Sequence, residues 1–360
     1  VSTRFSLAIL AVLALASCDR PASSPDPAPA ETVAPLKIRP AAPSPTLKAV
    51  RARGTLRCGV NPELPGFAFR DNGGRWRGFN VDFCRALAAA VLGEPDKVTF
   101  VPLGNDERIS ALRSGKVDVL WRNTSWTFSR DAGDQLDMAA ISYFDGQGFL
   151  VRRSLNLTSA VELNTAKICV QSNATSAQNL EDFFRSRGIA YTAMVFDSEE
   201  QTRAAYQADK CDALTADISA LAAARSVLDD PGAHVILPDA ISKEPLGPLV
   251  RQDDPAWTGI VRWTLDALIL AEEHGVTKAN AKEMKTGADP EARRLLGEGG
   301  YGAMLGLDAD WAYRAITAGG NYGEIFEHDI GGGSALKLDR GLNALWNAQK
   351  PGLLYAPPMR

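Results

Sequence analysis

Thr55-Leu56-Arg57-Cys58-Gly59-Val60, Val98-Thr99-Phe100-Val101-Pro102 and Val117-Asp118-Val119-Leu120-Trp121 are short apolar, β-prone runs, and the residues that separate them decide the fold. After a turn holding Pro62, Pro65 and Gly66, the residues Cys84, Leu87, Ala88 and Val91 recur at helical spacing, with Asn80 expected as the cap and Gly93 as the stop. A second helix is expected over Asp106 to Ser114, stopped by Gly115. The order is strand, helix, strand, helix, strand with short loops. Such alternation predicts a parallel sheet covered by helices, with ligands held at the carboxyl ends of the strands.

The pattern recurs further along. A strand at Lys167 to Gln171, a helix from Ser176 to Arg187 ended by Gly188, a strand at Tyr191 to Phe196, a helix through Ala208, and strands at Asp212 to Asp217 and Val235 to Leu237 make a second α/β unit. Two such units imply a cleft between them. The apolar runs Gly148 to Arg153 and Ile241 to Arg251 are expected to cross from one unit to the other. The helix Trp257 to His274 and the residues beyond it then either complete the first unit or form a domain of their own.

The chain has 360 residues, 45% of them hydrophobic, with a formal net charge of -4. That is too long for a single core and suggests two lobes. The mild acidity without basic clusters gives no footprint for nucleic acid. Residues 1–17 hold one positive charge, Arg4, followed by the apolar run Phe5 to Ala16, which suits a secretory signal. The run ends in Leu15-Ala16-Ser17-Cys18, which resembles a lipobox and makes Cys18 the expected lipid attachment site; the alternative is ordinary cleavage that leaves Cys18 a free thiol. Pro21 to Pro45 contains 8 prolines in 25 residues and reads as an extended tether.

With Cys18 spent on lipid, four cysteines remain, which allow three connectivities. Cys58, alternating with Leu56 and Val60, and Cys84, on the apolar stripe of the first helix, face one core, so Cys58 is expected to pair with Cys84. That leaves Cys169 with Cys211 inside the second unit. An oxidising compartment makes both bridges favourable.

Several motifs, in this order and spacing, resemble the periplasmic amino-acid-binding proteins of the type II class, and most closely the general L-amino-acid-binding branch that serves ABC importers. They are Gly59-Val60-Asn61 with Pro65-Gly66-Phe67, Gly78-Phe79-Asn80-Val81-Asp82, Gly115-Lys116-Val117-Asp118-Val119, Arg122-Asn123-Thr124-Ser125-Trp126-Thr127, Asp145-Gly146-Gln147-Gly148-Phe149, Ser242-Lys243-Glu244-Pro245-Leu246-Gly247 and Gly341-Leu342-Asn343-Ala344-Leu345-Trp346. The resemblance implies an α/β fold of two lobes, each a mostly parallel sheet flanked by helices, joined by two crossing hinge strands. The lobes are expected at 46–149 and 150–245, with 246–360 returning to the first lobe and adding a helical extension. The implied function is a periplasmic receptor that closes around a free L-amino acid and hands it to ABC permease subunits in the inner membrane.

A free amino acid needs a fixed bidentate cation for its carboxylate and a fixed anion for its ammonium. By the resemblance, Arg130 forks the carboxylate with help from the Ser125 hydroxyl, and the Asn123 carbonyl accepts from the ammonium. Read alone, Arg130 is a surface arginine paired with Asp131 or Asp134. Thr175, at the start of the second unit's first helix, is the second carboxylate contact, a role compatible with being that helix's N-cap. Asp217, at the end of its strand, takes the ammonium; read alone it is a helix N-cap. Asn61 and Leu64 belong to the turn expected to contact the ligand's side chain. Relatives of this class carry Gly and Thr where this chain has Asn173 and Ala174, and a small residue in place of Glu63. A carboxylate at Glu63 would favour a cationic ligand if it faces the pocket, and is otherwise merely solvated.

No zinc-type spacing, phosphate-cradling glycine loop or serine elbow appears, so no metal or cofactor is expected. An exported dehydratase of the same fold acting on prephenate-like acids is the enzyme alternative, and a sensor lipoprotein without transport is the other.

Overall fold

The computed structural model describes residues 38–360. The expected signal segment, Cys18 and most of the tether lie outside them. The tether's expected end falls inside the folded body. Ser44 caps helix α1 (Pro45–Arg53) by accepting from Leu47 N, and both Ser44 Oγ and Thr46 N donate to Asp254 Oδ2 at 2.8 Å. Proline is preorganised for the first helical turn, so a residue counted with the tether starts the helix instead.

The chain continues through β1 (Leu56–Val60), a hairpin of β2 (Phe69–Arg70) and β3 (Trp76–Arg77), α2 (Phe79–Leu92), β4 (Val98–Pro102), α3 (Arg108–Arg113), β5 (Val119–Leu120) and β6 (Leu136–Met138). Asn80 does not cap α2; Gly78 does, at φ +119°. A Cβ there would lie 2.5 Å from the Phe67 carbonyl oxygen, so only glycine fits, and Asn80 is left buried inside the helix. The alternation of strand and helix holds: β1 pairs in parallel with β4 and β5.

After β6 the chain leaves through β7 (Tyr143–Asp145) into a second sheet. That sheet and its helices comprise β8 (Gln147–Arg152), β9 (Ala166–Gln171), α4 (Thr175–Arg187), β10 (Tyr191–Phe196), α5 (Glu199–Gln207), β11 (Ala213–Asp217), α6 (Ile218–Ser226) and β12 (His234–Ile236). The chain returns through β13 (Glu244–Leu246) to β14 (Leu249–Arg251) and the long α7 (Pro255–Glu273). The first sheet has the order β4-β1-β5-β14-β6, the second β10-β9-β11-β8-β12. The crossing strands are thus β7 and β13, paired antiparallel with Glu244 opposite Asp145. Gly148 to Arg153, expected to cross, forms most of β8 between β11 and β12, because its continuous apolar run suits a strand covered on both faces. Of Ile241 to Arg251, only the middle crosses, and Leu249–Arg251 joins the first sheet beside β5 and β6.

The central strands β1, β5 and β8 are buried on both faces, while the edge strands β4 and β10 are partly exposed. In the first lobe, Phe79, Phe83, Trp121, Tyr143, Tyr322 and Phe326 form an aromatic cluster that joins α2 to the helix Tyr322–Asp329, with Phe83 stacked on Trp121 at 5.1 Å. Fully burying such a side chain contributes about 1.5–3 kcal/mol. The C-terminal third therefore completes the first lobe. Its last contacts reach the hinge itself: Phe144 N donates to Asn343 Oδ1 at 2.7 Å, and Asn343 Nδ2 donates back to Phe144 O at 3.1 Å. Both expected disulfides are present, Cys58–Cys84 between β1 and α2, and Cys169–Cys211 between β9 and the loop ahead of β11. Closing loops of 26 and 42 residues, each stabilises by about 3–4 kcal/mol. Among the described residues no helix is long and apolar enough to cross a membrane.

Candidate ligand site between the two sheets

The carboxyl ends of β1, β5, β9 and β11 deliver Asn61, Asn123, Thr175 and Asp217 to one cavity between the sheets, and Leu64, Ser125 and Arg130 line it too. All seven residues expected at the ligand are thus brought together.

Arg130 sits in a single wide turn, Ser129–Gly133, and its Nη1 donates to the Ser125 carbonyl oxygen at 2.6 Å. Neither neighbouring aspartate pairs with it. Asp131 accepts from Trp126 Nε1 and Gln252, and Asp134 faces Arg113. Burial pushes the Arg130 guanidinium's pKa down, and the nearby Glu244 and Asp217 carboxylates partly restore it.

Asp217 occupies the N-cap position of α6 but makes no capping bond with its side chain. Asp145 on the crossing strand β7 takes that role, accepting from Ser219 N at 3.2 Å. This frees the Asp217 carboxyl for the cavity. Burial pushes its pKa well up, and Asp145, Glu244 and Glu199 add to the rise while Arg130 opposes it. Burial likewise raises Asp145 to about 6, against its bonds to Ser219 and Gly146.

The Ser125 and Thr175 hydroxyls converge on a carboxylate of the protein. Ser125 Oγ donates to Glu244 Oε2, as does Thr175 Oγ1 at 3.1 Å, while Asn179 Nδ2 and Ser242 Oγ donate to Oε1, each at 2.7 Å. Glu244 is buried on the crossing strand β13. Thr175 is the first residue of α4 rather than its N-cap; Ala174 holds that position and offers no side chain to cap it. Asn173 adopts φ +55°, the left-handed geometry that asparagine tolerates.

Several polar bonds span the cleft. Asn61 Nδ2 donates to Glu199 Oε1 at 2.8 Å, and Glu63 Oε2 accepts from Glu200 N at 3.2 Å. Arg108 Nη2 donates to the Asn173 carbonyl at 3.0 Å, and Asn105 Nδ2 to that of Ser172 at 3.3 Å. Glu63 is therefore neither merely solvated nor free: it lines the cavity while bonding to the start of α5.

Sequence reasoning missed Glu244, Glu199, Arg108 and Arg122. Glu244 and Arg122 stood inside quoted motifs, and a carboxylate or guanidinium within an apolar, β-prone run was the available signal. Arg108 and Glu199 lie on helices that looked ordinary. The three histidines lie elsewhere: His234 Nδ1 bonds Tyr206 at 2.7 Å, His274 faces Asp289 and His328 faces Asp329, each at 2.8 Å.

Comparison with known proteins places this geometry. The chain is 51% identical over 323 residues to the general L-amino acid-binding periplasmic protein of Rhizobium johnstonii, covering 89% of this chain and 94% of that one. It is also 51% identical over 322 residues to the glutamate/glutamine/aspartate/asparagine-binding protein of Rhodobacter capsulatus, covering 89% and 95%. A solved ABC transporter periplasmic binding protein from Brucella ovis, with glutathione bound, superposes with a TM-score of 0.85 at 50% identity, over 88% of this chain and 99% of that one. The fold is accordingly the two-lobed type II periplasmic binding architecture. The sequence profile of the bacterial extracellular solute-binding proteins, family 3, matches residues 56–278, from β1 to just past α7, and the chain belongs to that family.

Proposed function

We propose that this protein is an extracytoplasmic receptor that binds free L-amino acids by closure of its two lobes and delivers them to an ABC importer. One observation carries the reading. Arg130 from the first lobe and Asp217 from the second line the same cavity, and among the described residues neither forms an ion pair. A zwitterion supplies what both lack. Arg130 forks the α-carboxylate, and the Ser125 and Thr175 hydroxyls, which here donate to Glu244, turn their protons to it; Asp217 and the Asn123 carbonyl take the ammonium. Asn61 and Leu64 meet the ligand's side chain. Because contacts come from both lobes, the ligand stabilises the closed form more than the open one.

The names of the relatives support the amino-acid ligand and the importer, and they give the dehydratase and sensor readings no support. The first lobe is proposed to run from α1 to the crossing strand β7 and the second from β8 to β13, a small shift from the expected 46–149 and 150–245, with the residues after β13 returning to the first. Residues 1–17 are proposed as signal, 18–43 as tether, ending at the Ser44 cap of α1, and Cys18 as the membrane anchor through its lipid.

Calorimetry and thermal shift with the proteinogenic amino acids, their descarboxy and desamino analogues, and prephenate test the reading. A ligand at 100 times its Kd should add about 2.7 kcal/mol of stability. L-amino acids are expected to shift the melting temperature and both analogue series to fail. A response to prephenate alone, with turnover, would place the protein among the enzymes.

A further inference from the structure

Away from the cleft, the joint between α2 and the helix Tyr322–Asp329 gathers three side chains that can ligate a metal. Asp82 stands in the first turn of α2, and His328 and Asp329 are the last two residues of the other helix. One donor atom from each lies within 4.8 Å of the other two. The Asp329 side chain is only 5% exposed, and its Oδ2 has no hydrogen-bond partner. Its Oδ1 accepts from His328 Nδ1 at 2.8 Å, so among the described residues its one polar partner belongs to the cluster itself. Arg85 Nη1 holds Asp82 Oδ1 at 3.0 Å and leaves the other oxygen of Asp82 without a donor. Two carboxylates thus meet with a single exposed imidazole beside them, and the buried one has an oxygen that nothing satisfies.

We infer that Asp82, His328 and Asp329 form a binding site for one divalent transition-metal ion of the zinc type. The ion supplies the counter-charge that Asp329 lacks, and two carboxylate oxygens with an imidazole nitrogen are a donor set that zinc accepts, with water as its fourth ligand. Calcium and magnesium fit less well, since they take about six or more oxygens. Ligands about 2.0–2.1 Å from a tetrahedral ion lie about 3.3 Å apart, and the exposed His328 side chain is free to close the difference. The site also sits at the carboxyl end of the helix Tyr322–Asp329, where the backbone dipole favours a cation. An adjacent His328-Asp329 pair with a distant Asp82 makes no zinc-type spacing, which is why the sequence announces no metal. The two helices share the aromatic cluster, and none of the three residues lines the cavity between the sheets. The ion therefore fastens the C-terminal third to the first lobe without touching the amino-acid site.

The test is calorimetry and thermal shift on the intact protein, stripped of metal by a chelator and dialysed, with zinc, calcium and magnesium chlorides titrated near neutral pH. Zinc is expected to bind with a micromolar or tighter Kd, and at about 100 times that concentration to raise the melting temperature by several degrees. Calcium and magnesium should bind at least tenfold more weakly. His328→Ala, at an exposed position, and Asp329→Asn should each weaken zinc at least tenfold and remove most of the thermal shift, with amino-acid affinity unchanged within about twofold. In the wild type the ring protons of His328 should move in NMR spectra as zinc is added while those of His234 and His274 stay, a readout that needs no variant to fold. Zinc binding no tighter than millimolar, calcium tighter than zinc, an unmoved His328 ring, or zinc affinity undiminished in either variant overturns the site and leaves the two carboxylates sharing a proton instead.

Discussion

The two walls of the cavity are built from the same kind of loop at the same end of the same kind of sheet, yet they carry opposite charge. The first lobe contributes Arg108, Arg122 and Arg130 against Glu63; the second contributes Asp217 and Glu199 against Arg203. Burial acts on both in the direction of neutrality, lowering the arginine pKa values and raising those of Asp217 and Glu199. Each wall by itself is electrostatically unfavourable. The contrast teaches that the ligand's own charges are part of what makes the closed form stable, so selectivity and closure share one origin.

The contrast breaks most severely at Arg130. Arg130→Ala is expected to weaken amino-acid binding by 100-fold or more, about 2.7 kcal/mol, as measured by calorimetry. Asp217→Asn comes next, with a loss of about tenfold or more, and it carries a pH signature. The folded pKa of Asp217 lies above its ordinary value, so an ammonium ligand must expel its proton. Wild-type affinity should therefore rise with pH, by up to tenfold per unit, until the carboxyl is ionised, and Asp217→Asn should flatten the slope. The sign for stability is opposite: a raised folded pKa means the ligand-free protein loses stability as pH climbs through it. Melting curves with and without ligand across pH 5–8 would show the divergence. A wild-type affinity indifferent to pH would sink this account of the second wall.

Glu244 sharpens the comparison, since it is the carboxylate that touches both sides, through Ser125 on one and Thr175 and Asn179 on the other. Glu244→Ala should open the ligand-free protein, seen as a larger radius of gyration in small-angle scattering that ligand reverses. The smallest effect belongs to Thr175→Val. Its hydroxyl already donates to Glu244, so affinity should fall only about threefold, half a kcal/mol or a little more.

Much of this was legible in the chain. Strand and helix alternation followed from local periodicity, and the Cys58–Cys84 pairing from the faces those periods define. The seven expected site residues line one cavity because strand ends fix where loops begin. The features that were not legible depend on tertiary context. Arg108 sits on a short helix whose pattern says nothing of a cavity, and Asp217 is freed from capping only because Asp145, 72 positions earlier in the sequence, does it. The crossing strands were misplaced by a few residues for a related reason: β7 and β8 are both apolar, and only pairing tells which belongs to a sheet.

The paired bonds between Asn343 and Phe144 set a timetable. The strand they grip and its clasp are 199 residues apart along the chain. A chain made or threaded from its amino terminus therefore holds a hinge it cannot fasten until those 199 residues have followed. Loss of the segment around Asn343, remote from every cavity-lining residue, would leave a molecule with both sheets built and its pivot unfastened.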